Sequence, residues 1–159
     1  MSRLESFIRR VCAQRSVLDH VVVLVSRLEG PVLELGLGNG RTYDHLREKL
    51  PGRRIIAFDR ALVAHGSCVP SPENLVLGEI RETAGRFAGA GGALVHADIE
   101  TGYQDVDDET SAWLTDLVPS LLGQGGIAAS GLKLESAALD PLPVPADVPA
   151  DRYFLYRRR

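Results

Sequence analysis

Val32-Leu33-Glu34-Leu35-Gly36-Leu37-Gly38-Asn39-Gly40-Arg41-Thr42 is the stretch on which the reading of this chain turns. Val32 to Leu35 reads as a short buried strand that ends in three alternating glycines. Arg41 to Leu50 then places Tyr43, Leu46 and Leu50 on one helical face before Pro51-Gly52 stops it. A strand, a glycine turn and a helix in that order let backbone N–H groups approach a ligand closely, because no Cβ stands in the way. The dinucleotide fingerprint is GxGxxG, whereas here the third glycine comes one residue early. Glu34, inside the strand end, is unhelpful beside a pyrophosphate but suits a ligand carrying an ammonium or sulfonium charge.

Outward from this loop, apolar runs and helical stretches alternate. Residues 3 to 28 read as helical, with Ser16 as a candidate N-cap and Asp19 reaching back to it, so two helices or one kinked helix are expected. Further strands are expected at Ile55 to Phe58, Leu75 to Leu77, Ala93 to Ala97 and Gly126 to Ser130, with a short helix around Arg81 to Phe87. An acidic loop, Asp105 to Glu109, leads into a helix on which Trp113, Leu114, Leu117, Val118 and Leu121 repeat at helical spacing. Trp113 is expected in the core and Pro119 is expected to kink or restart the helix. Strands apolar on both faces alternating with helices predict a mostly parallel sheet covered on both sides. In the tail, Pro141, Pro143 and Pro145 remove donors along one side only, as an edge strand requires. Leu142 to Val144 and Tyr153 to Tyr156 are therefore expected as a terminal antiparallel hairpin, giving about seven strands in one sheet.

The 159 residues, 45% hydrophobic and 25% charged, carry no long-period repeat and no linker, so residues 1-159 are read as a single domain, with 3-28 as its N-terminal helical segment. A net charge of -3 gives no pull toward phosphate backbones, and nucleic acid is not an expected partner. All but two of the 18 basic residues are arginine, a bias without a functional account. The apolar run Val21 to Val25 is too short to span a bilayer and lacks a cleavage site, so neither a membrane nor export is expected. Cys12 and Cys68 have no metal-ligand spacing, which points to a reducing, cytoplasmic setting and to no structural metal. Asp105, Asp107, Asp108 and Glu109 are read as solvated acids at a helix N-terminus rather than metal ligands.

With its Glu-x-Gly-x-Gly-x-Gly loop the chain resembles the class I S-adenosylmethionine-dependent methyltransferases. The longer string from Leu33 to Leu46 is especially similar to that of small bacterial proteins known only as S-adenosyl-L-methionine methyltransferases. The resemblance covers roughly residues 31 to 130 and implies a three-layer Rossmann-like α/β fold with S-adenosyl-L-methionine as cofactor. It implies Glu34, Gly36, Gly38 and Gly40 in the cofactor loop, with Thr42 and the helix start on the methionine carboxylate. It implies Asp59 on the ribose hydroxyls, Glu79 on the adenine amino group and the Ile80 N–H on a ring nitrogen. Each acid alone also reads as an exposed strand-end residue, and Glu79 also as a cap of the helix that follows.

Val95-His96-Ala97-Asp98 stands where the family's substrate-facing motif lies. His96 and Asp98, two apart on a strand, share a face and are expected as an acid–base pair, with Asp98 the first candidate for a base. Tyr43 and His45 are candidates to line the site. Half-buried structural polar residues are the alternative reading for both. Asp98-Ile99-Glu100-Thr101 departs from the Asn/Asp-Pro-Pro-aromatic string of enzymes that methylate amino groups on nucleic-acid bases, so a small-molecule methyl acceptor is expected. Gln14 and Arg15 are polar candidates on the N-terminal helix. The 130–153 stretch is too short for a substantial lid, so the site is expected to be shallow or completed by a neighbouring subunit in a homo-oligomer. A cofactor-binding protein without turnover is the second reading, and a nicotinamide-dependent oxidoreductase, disfavoured by Glu34 and the early third glycine, is the third.

Overall fold

The computed structural model describes residues 1–159. The strands are β1 (Val32–Leu35), β2 (Ile55–Asp59), β3 (Leu75–Leu77), β4 (Gly92–Ala97), β5 (Leu122–Ser130), β6 (Leu139–Leu142) and β7 (Phe154–Arg158). The helices are α1 (Arg3–Val25), α2 (Arg41–Lys49), α3 (Ile80–Gly85) and α4 (Gln104–Leu121). All seven strands form one sheet in the order β3-β2-β1-β4-β5-β7-β6. The first five are mutually parallel, and β7 runs antiparallel to both β5 and β6. This is the Rossmann-like α/β arrangement that the alternation of elements predicts. The order reverses at β1 and β4, and their carboxyl ends are where ligands bind in such sheets.

Alternation along the strands separates two cores. Val32, Ile55, Ala57 and Leu94 point to one face with Val17, Leu18, Val21 and Leu46 of α1 and α2; Leu33, Leu35, Ile56, Phe58 and Val95 point to the other with Ile80, Leu114 and Val118. Both faces of β1 and β4 are thus dry. Glu34 and His96, on the α1 face, are buried beside each other because the register pairs these two positions directly.

Several boundaries differ from expectation, each for a local reason. Residues 3 to 25 form one helix, capped by Ser2, whose Oγ accepts from the Glu5 N–H; Ser16 caps nothing and donates to Asp147 at 2.8 Å. The helix α4 begins at Gln104, so Asp105 to Glu109 are its first turns and not a loop, and it continues through Pro119 to Leu121. The edge strand lies earlier than the proline pattern suggested: Leu139–Leu142 pairs with β7, and only Pro141 falls in the ladder while Pro143 and Pro145 follow it. One missing donor on an outer edge is tolerated. No helix is long and apolar enough to cross a membrane, and no group of His, Cys, Asp or Glu is placed to hold a metal ion.

Candidate functional site

At the carboxyl end of β1 the chain turns through Gly36, Gly38 and Gly40, and the three glycines do different things. A Cβ on Gly36 would stand 2.2 Å from the Ile99 side chain, and one on Gly40 would stand 2.5 Å from Cys68; these two permit close packing. Gly38, at φ 53°, has nothing within 4 Å of a built Cβ and faces open space. Its N–H donates to Asp59 Oδ2 at 2.7 Å, and the Arg60 N–H donates to Oδ1 at 2.7 Å. Each carboxylate oxygen keeps a second lone pair.

Open space at Gly38 belongs to a cavity of about 280 Å³ that Gly36, Gly38, Thr42, Asp59, Ile80 and Asp98 help to line. Arg10, Gln14, Asn39, Arg41, Ile99 and Glu100 are also on its wall. A second cavity, about 450 Å³, shares Asp59, Ile80 and Ile99 with the first and extends along Glu79 to Trp113. The two form a continuous groove across the strand ends, with Asp59 at the junction. Trp113 is half-buried on this groove rather than enclosed in the core as its helical spacing suggested. Glu79 carries no side-chain cap for α3, and pairs with Arg60 at 3.2 Å.

Behind the first cavity lies a chain of polar side chains. Thr42 Oγ1 donates to Glu34 Oε1, and Glu34 Oε2 meets His96 Nδ1 at 2.8 Å. His96 Nε2 lies 3.4 Å from the Tyr153 hydroxyl, which donates to Asp98 Oδ2 at 2.8 Å. Asp98 also accepts from Gln14 Nε2 of α1 and faces Arg152 Nη2 at 3.5 Å; Arg152 Nη1 pairs with Glu100 Oε1. No buried side-chain polar atom is left without a partner, as a low-dielectric interior demands.

Charges in this chain sort by surroundings. Burial pulls the His96 pKa down, but the Glu34 carboxylate and its hydrogen bond, with Asp98 beyond, outweigh it and hold it above the usual histidine value. Nδ1 faces Glu34 Oε2 and Nε2 faces the Tyr153 hydroxyl, so the ring bridges the two. Burial would raise Asp98, yet His96, Gln14, Arg152 and Tyr153 together hold it below the usual carboxylate range. Burial raises Glu100 above it, with Arg152 offsetting only in part and Asp98 adding to the rise. Burial and Asp98 push Tyr153 far above the usual phenol value, so it stays a donor.

The sequence-predicted residues thus divide. Gly36, Gly38, Thr42, Asp59, Glu79, Ile80 and Asp98 line the groove. Glu34 and His96 lie behind the wall at 0% and 1% exposure, so His96 does not face an acceptor as the expected acid–base partner of Asp98. Thr42 spends its hydroxyl proton on Glu34 rather than on an incoming carboxylate. Tyr43 is buried in the α1-side core, and His45 pairs with Asp19 at 2.8 Å; neither lines the groove. On α1, Gln14 reaches the site while Arg15 stays exposed away from it. Sequence reasoning missed Arg10, Arg41, Glu100, Arg152 and Tyr153 as site residues. The Arg152-Tyr153 pair carried no local motif, since only tertiary folding brings it to Asp98.

A family model described as S-adenosyl-L-methionine methyltransferase matches residues 1–158. A solved S-adenosyl-L-methionine methyl transferase from Silicibacter pomeroyi DSS-3 is 40% identical, with 100% of this chain and 99% of that chain covered at a TM-score of 0.91. TrmN from Thermus thermophilus is 14% identical over 89% of this chain and 48% of its own at a TM-score of 0.63. The Burkholderia thailandensis 1,6-didemethyltoxoflavin-N1-methyltransferase, solved with that compound and S-adenosylhomocysteine, is 17% identical over 93% and 80% at a TM-score of 0.52. These last two share the fold. No curated protein matches the chain at a significant level.

The groove fits the cofactor of such a family. The backbone at Gly38 leaves space where any Cβ would intrude, Asp59 offers free lone pairs for a diol at the junction, and Asp98 is a fixed anion suited to a cationic centre. Across the whole chain, then, this protein belongs to the S-adenosyl-L-methionine methyltransferase family, with S-adenosyl-L-methionine as its cofactor.

Proposed function

We propose that the protein transfers a methyl group to a small, protic, soluble acceptor bound between Asp98 and Glu100. The observation that carries this reading is a pair of neighbouring carboxylates on one cavity wall, Asp98 and Glu100, both facing Arg152, of which Glu100 keeps one oxygen without a hydrogen bond; their surroundings hold Asp98 low and raise Glu100. Bound S-adenosyl-L-methionine supplies an activated methyl on a sulfonium, so alignment and exclusion of water are the protein's main tasks. Gln14, Tyr153 and Arg152 hold Asp98 in one orientation, and Asp98 stays ionised as an electrostatic and orienting group. Glu100 Oε2, which takes no hydrogen bond while Oε1 pairs with Arg152, receives the proton that the acceptor's O–H or N–H gives up; the acceptor's lone pair takes the methyl carbon as its bond to sulfur breaks, and S-adenosylhomocysteine leaves. His96 is a positioning residue acting through Tyr153.

In the same reading Gly36, Gly38, Asp59, Glu79 and Ile80 touch the cofactor, while Gly40, Thr42 and Glu34 hold the loop in shape. A small acceptor is supported by the net charge of -3, which gives no pull toward a phosphate backbone. The Burkholderia enzyme of the same fold, solved with 1,6-didemethyltoxoflavin bound, offers a precedent. Turnover of labelled S-adenosyl-L-methionine against a panel of small hydroxyl, amine and carboxylate compounds tests the reading. With an active compound, Glu100→Gln is expected to lower kcat by about 10²–10⁴-fold and to abolish the acid limb of the pH–rate profile. Asp98→Asn is expected to lower kcat while keeping that limb, moved to lower pH because Asp98 helps to raise Glu100. Saturable cofactor binding with no turnover on any compound would instead favour a binding protein.

A further inference from the structure

Two arginines on the wall of the first cavity have no partner. Arg152 serves Asp98 and Glu100, and Arg60 serves Glu79. Arg10 of α1 and Arg41 at the start of α2 both line the cavity, and neither joins any ion pair in the molecule. They are nonetheless brought together: each guanidinium carbon lies 5.6 Å from the centroid of the same ring, Phe7. Phe7 is 40% exposed, one α-helical turn before Arg10 and Val11, so the ring acts as a shared platform at the cavity mouth. Two like charges gathered over one ring repel each other, and a bound oxyanion would relieve that repulsion.

Two further observations point the same way. The α2 helix begins with Gly40 as N-cap, which supplies no side-chain cap; Asn39 Oδ1 accepts only from the Arg41 N–H, at 3.3 Å, so the positive end stays partly open beside Arg41. The Thr42 hydroxyl, which would be the natural neutral donor here, already donates to Glu34. An anion entering this part of the cavity finds the two arginine forks as its charged side-chain donors, with the Asn39 amide beside them.

We propose that Arg10 and Arg41 form an oxyanion-binding subsite in the cavity lined by Gly36 and Asp98, with Phe7 holding both guanidinium groups in place. The subsite deepens the methyltransferase reading and rests on it. The oxyanion comes from one of two sources, the amino-acid carboxylate of the cofactor or an acidic group on the methyl acceptor. Arginine rather than lysine is suited to either, because its planar fork pairs two N–H groups with two oxygens.

Calorimetric titration of the wild type and of the Arg10→Met/Arg41→Met double variant separates these sources. Methionine keeps an apolar stem against Phe7 and removes only the charge. The probes are S-adenosylhomocysteine, 5′-methylthioadenosine, which lacks the amino-acid moiety, and benzoate or phenyl phosphate added to protein saturated with S-adenosylhomocysteine. If the carboxylate is the cofactor's, the double variant loses affinity for S-adenosylhomocysteine by about 10- to 100-fold and keeps its affinity for 5′-methylthioadenosine. If it is the acceptor's, both nucleosides bind as in the wild type, and benzoate or phenyl phosphate binding to the loaded wild type is lost in the variant. Either result supports the subsite. Unchanged binding of every probe, or equal loss for both nucleosides, overturns it. Should the wild type bind neither nucleoside, the cofactor reading of the groove falls, and the two anions titrated onto the free protein decide the arginine pair alone. Arg41→Lys, which retains charge but not the fork, is expected to recover only part of the lost affinity.

Discussion

Asp59 and Asp98 end neighbouring parts of the same sheet, yet they are built in opposite ways. Asp59, on the rim, is held by two backbone N–H groups, one from the next residue and one from Gly38 in the loop 21 positions earlier. Asp98 is held by side chains from both ends of the chain, Gln14 at 84 residues' separation and Tyr153 at 55. The first site is assembled by local backbone geometry and keeps lone pairs free for a ligand. The second is assembled by tertiary folding, and its polar atoms are largely spent on one another. Substitutions around Asp98 should therefore register in stability, and those around Asp59 in binding.

The largest expected effect tests the buried side of this contrast. Glu34 is fully buried against His96, whose imidazolium would be left without its carboxylate in Glu34→Ala. Breaking such a pair by removing one partner costs about 3–5 kcal/mol. Urea unfolding should show this loss, and a variant within about 0.5 kcal/mol of the wild type would mean that His96 is neutral in the fold. Asp59→Ala is expected to do the reverse: unfolding free energy nearly unchanged, with affinity for S-adenosylhomocysteine lowered by the roughly 1.5–3 kcal/mol of a hydrogen bond to a charged group. Retained affinity by calorimetry would remove Asp59 from the ribose.

The same contrast explains what the sequence could and could not reveal. The alternation of strands and helices, the parallel sheet and the edge position of the proline-bearing strand were legible because each rests on local periodicity or on a missing donor. The glycine loop and Asp59 were legible because a backbone-built site leaves its trace in a short contiguous motif. His96 was singled out by its strand position, but its burial could not be read there. The partners that occupy it, Glu34 and Tyr153, lie 62 and 57 residues away. Trp113 differs from its expected place in the core for a similar reason: helical spacing tells which face turns inward, not that a groove opens along that face. Ser16 satisfied a capping pattern, yet Ser2 starts the helix, because continuous packing of Ala13, Val17, Leu18, Val21 and Val25 on the sheet outweighs one local cap.

Within the loop, Gly38 and Gly40 sharpen the comparison on a smaller scale. Alanine at either carries the strain of a positive φ, about 1–2 kcal/mol. At Gly40 the added Cβ also meets Cys68, 2.9 Å from its carbonyl oxygen, so Gly40→Ala is expected to be the less stable of the two. At Gly38 the Cβ meets nothing in the protein and projects into open space, so Gly38→Ala should lose affinity for S-adenosyl-L-methionine and S-adenosylhomocysteine alike. Normal binding by Gly38→Ala would mean that the residue serves the turn alone.

The smallest expected effect is in the pH dependence of stability. Asp98 is depressed below its ordinary value of 3.8, so its stabilisation is present above that pH and is lost as pH falls through the lower folded-state pKa. His96 is raised above 6.5, so its stabilisation is present below that pH and is lost as pH rises through the higher folded-state pKa. Both contributions coexist between those two values. Glu100, raised above 4.5, makes stability fall with rising pH just above that value, and does so less in Asp98→Asn because Asp98 adds to the rise. Each group changes stability by at most about 1.4 kcal/mol per pH unit while it titrates. In Asp98→Asn the acid limb due to Asp98 should vanish. The alkaline limb should also move to lower pH, because Asp98 is one of the charges that raise His96. Urea unfolding of both proteins from about pH 3 to 9 measures the two limbs together. An acid limb that vanishes while the alkaline limb stays in place would show that Asp98 and His96 titrate independently, and the hydroxyl of Tyr153 would then join them in space without coupling their charges.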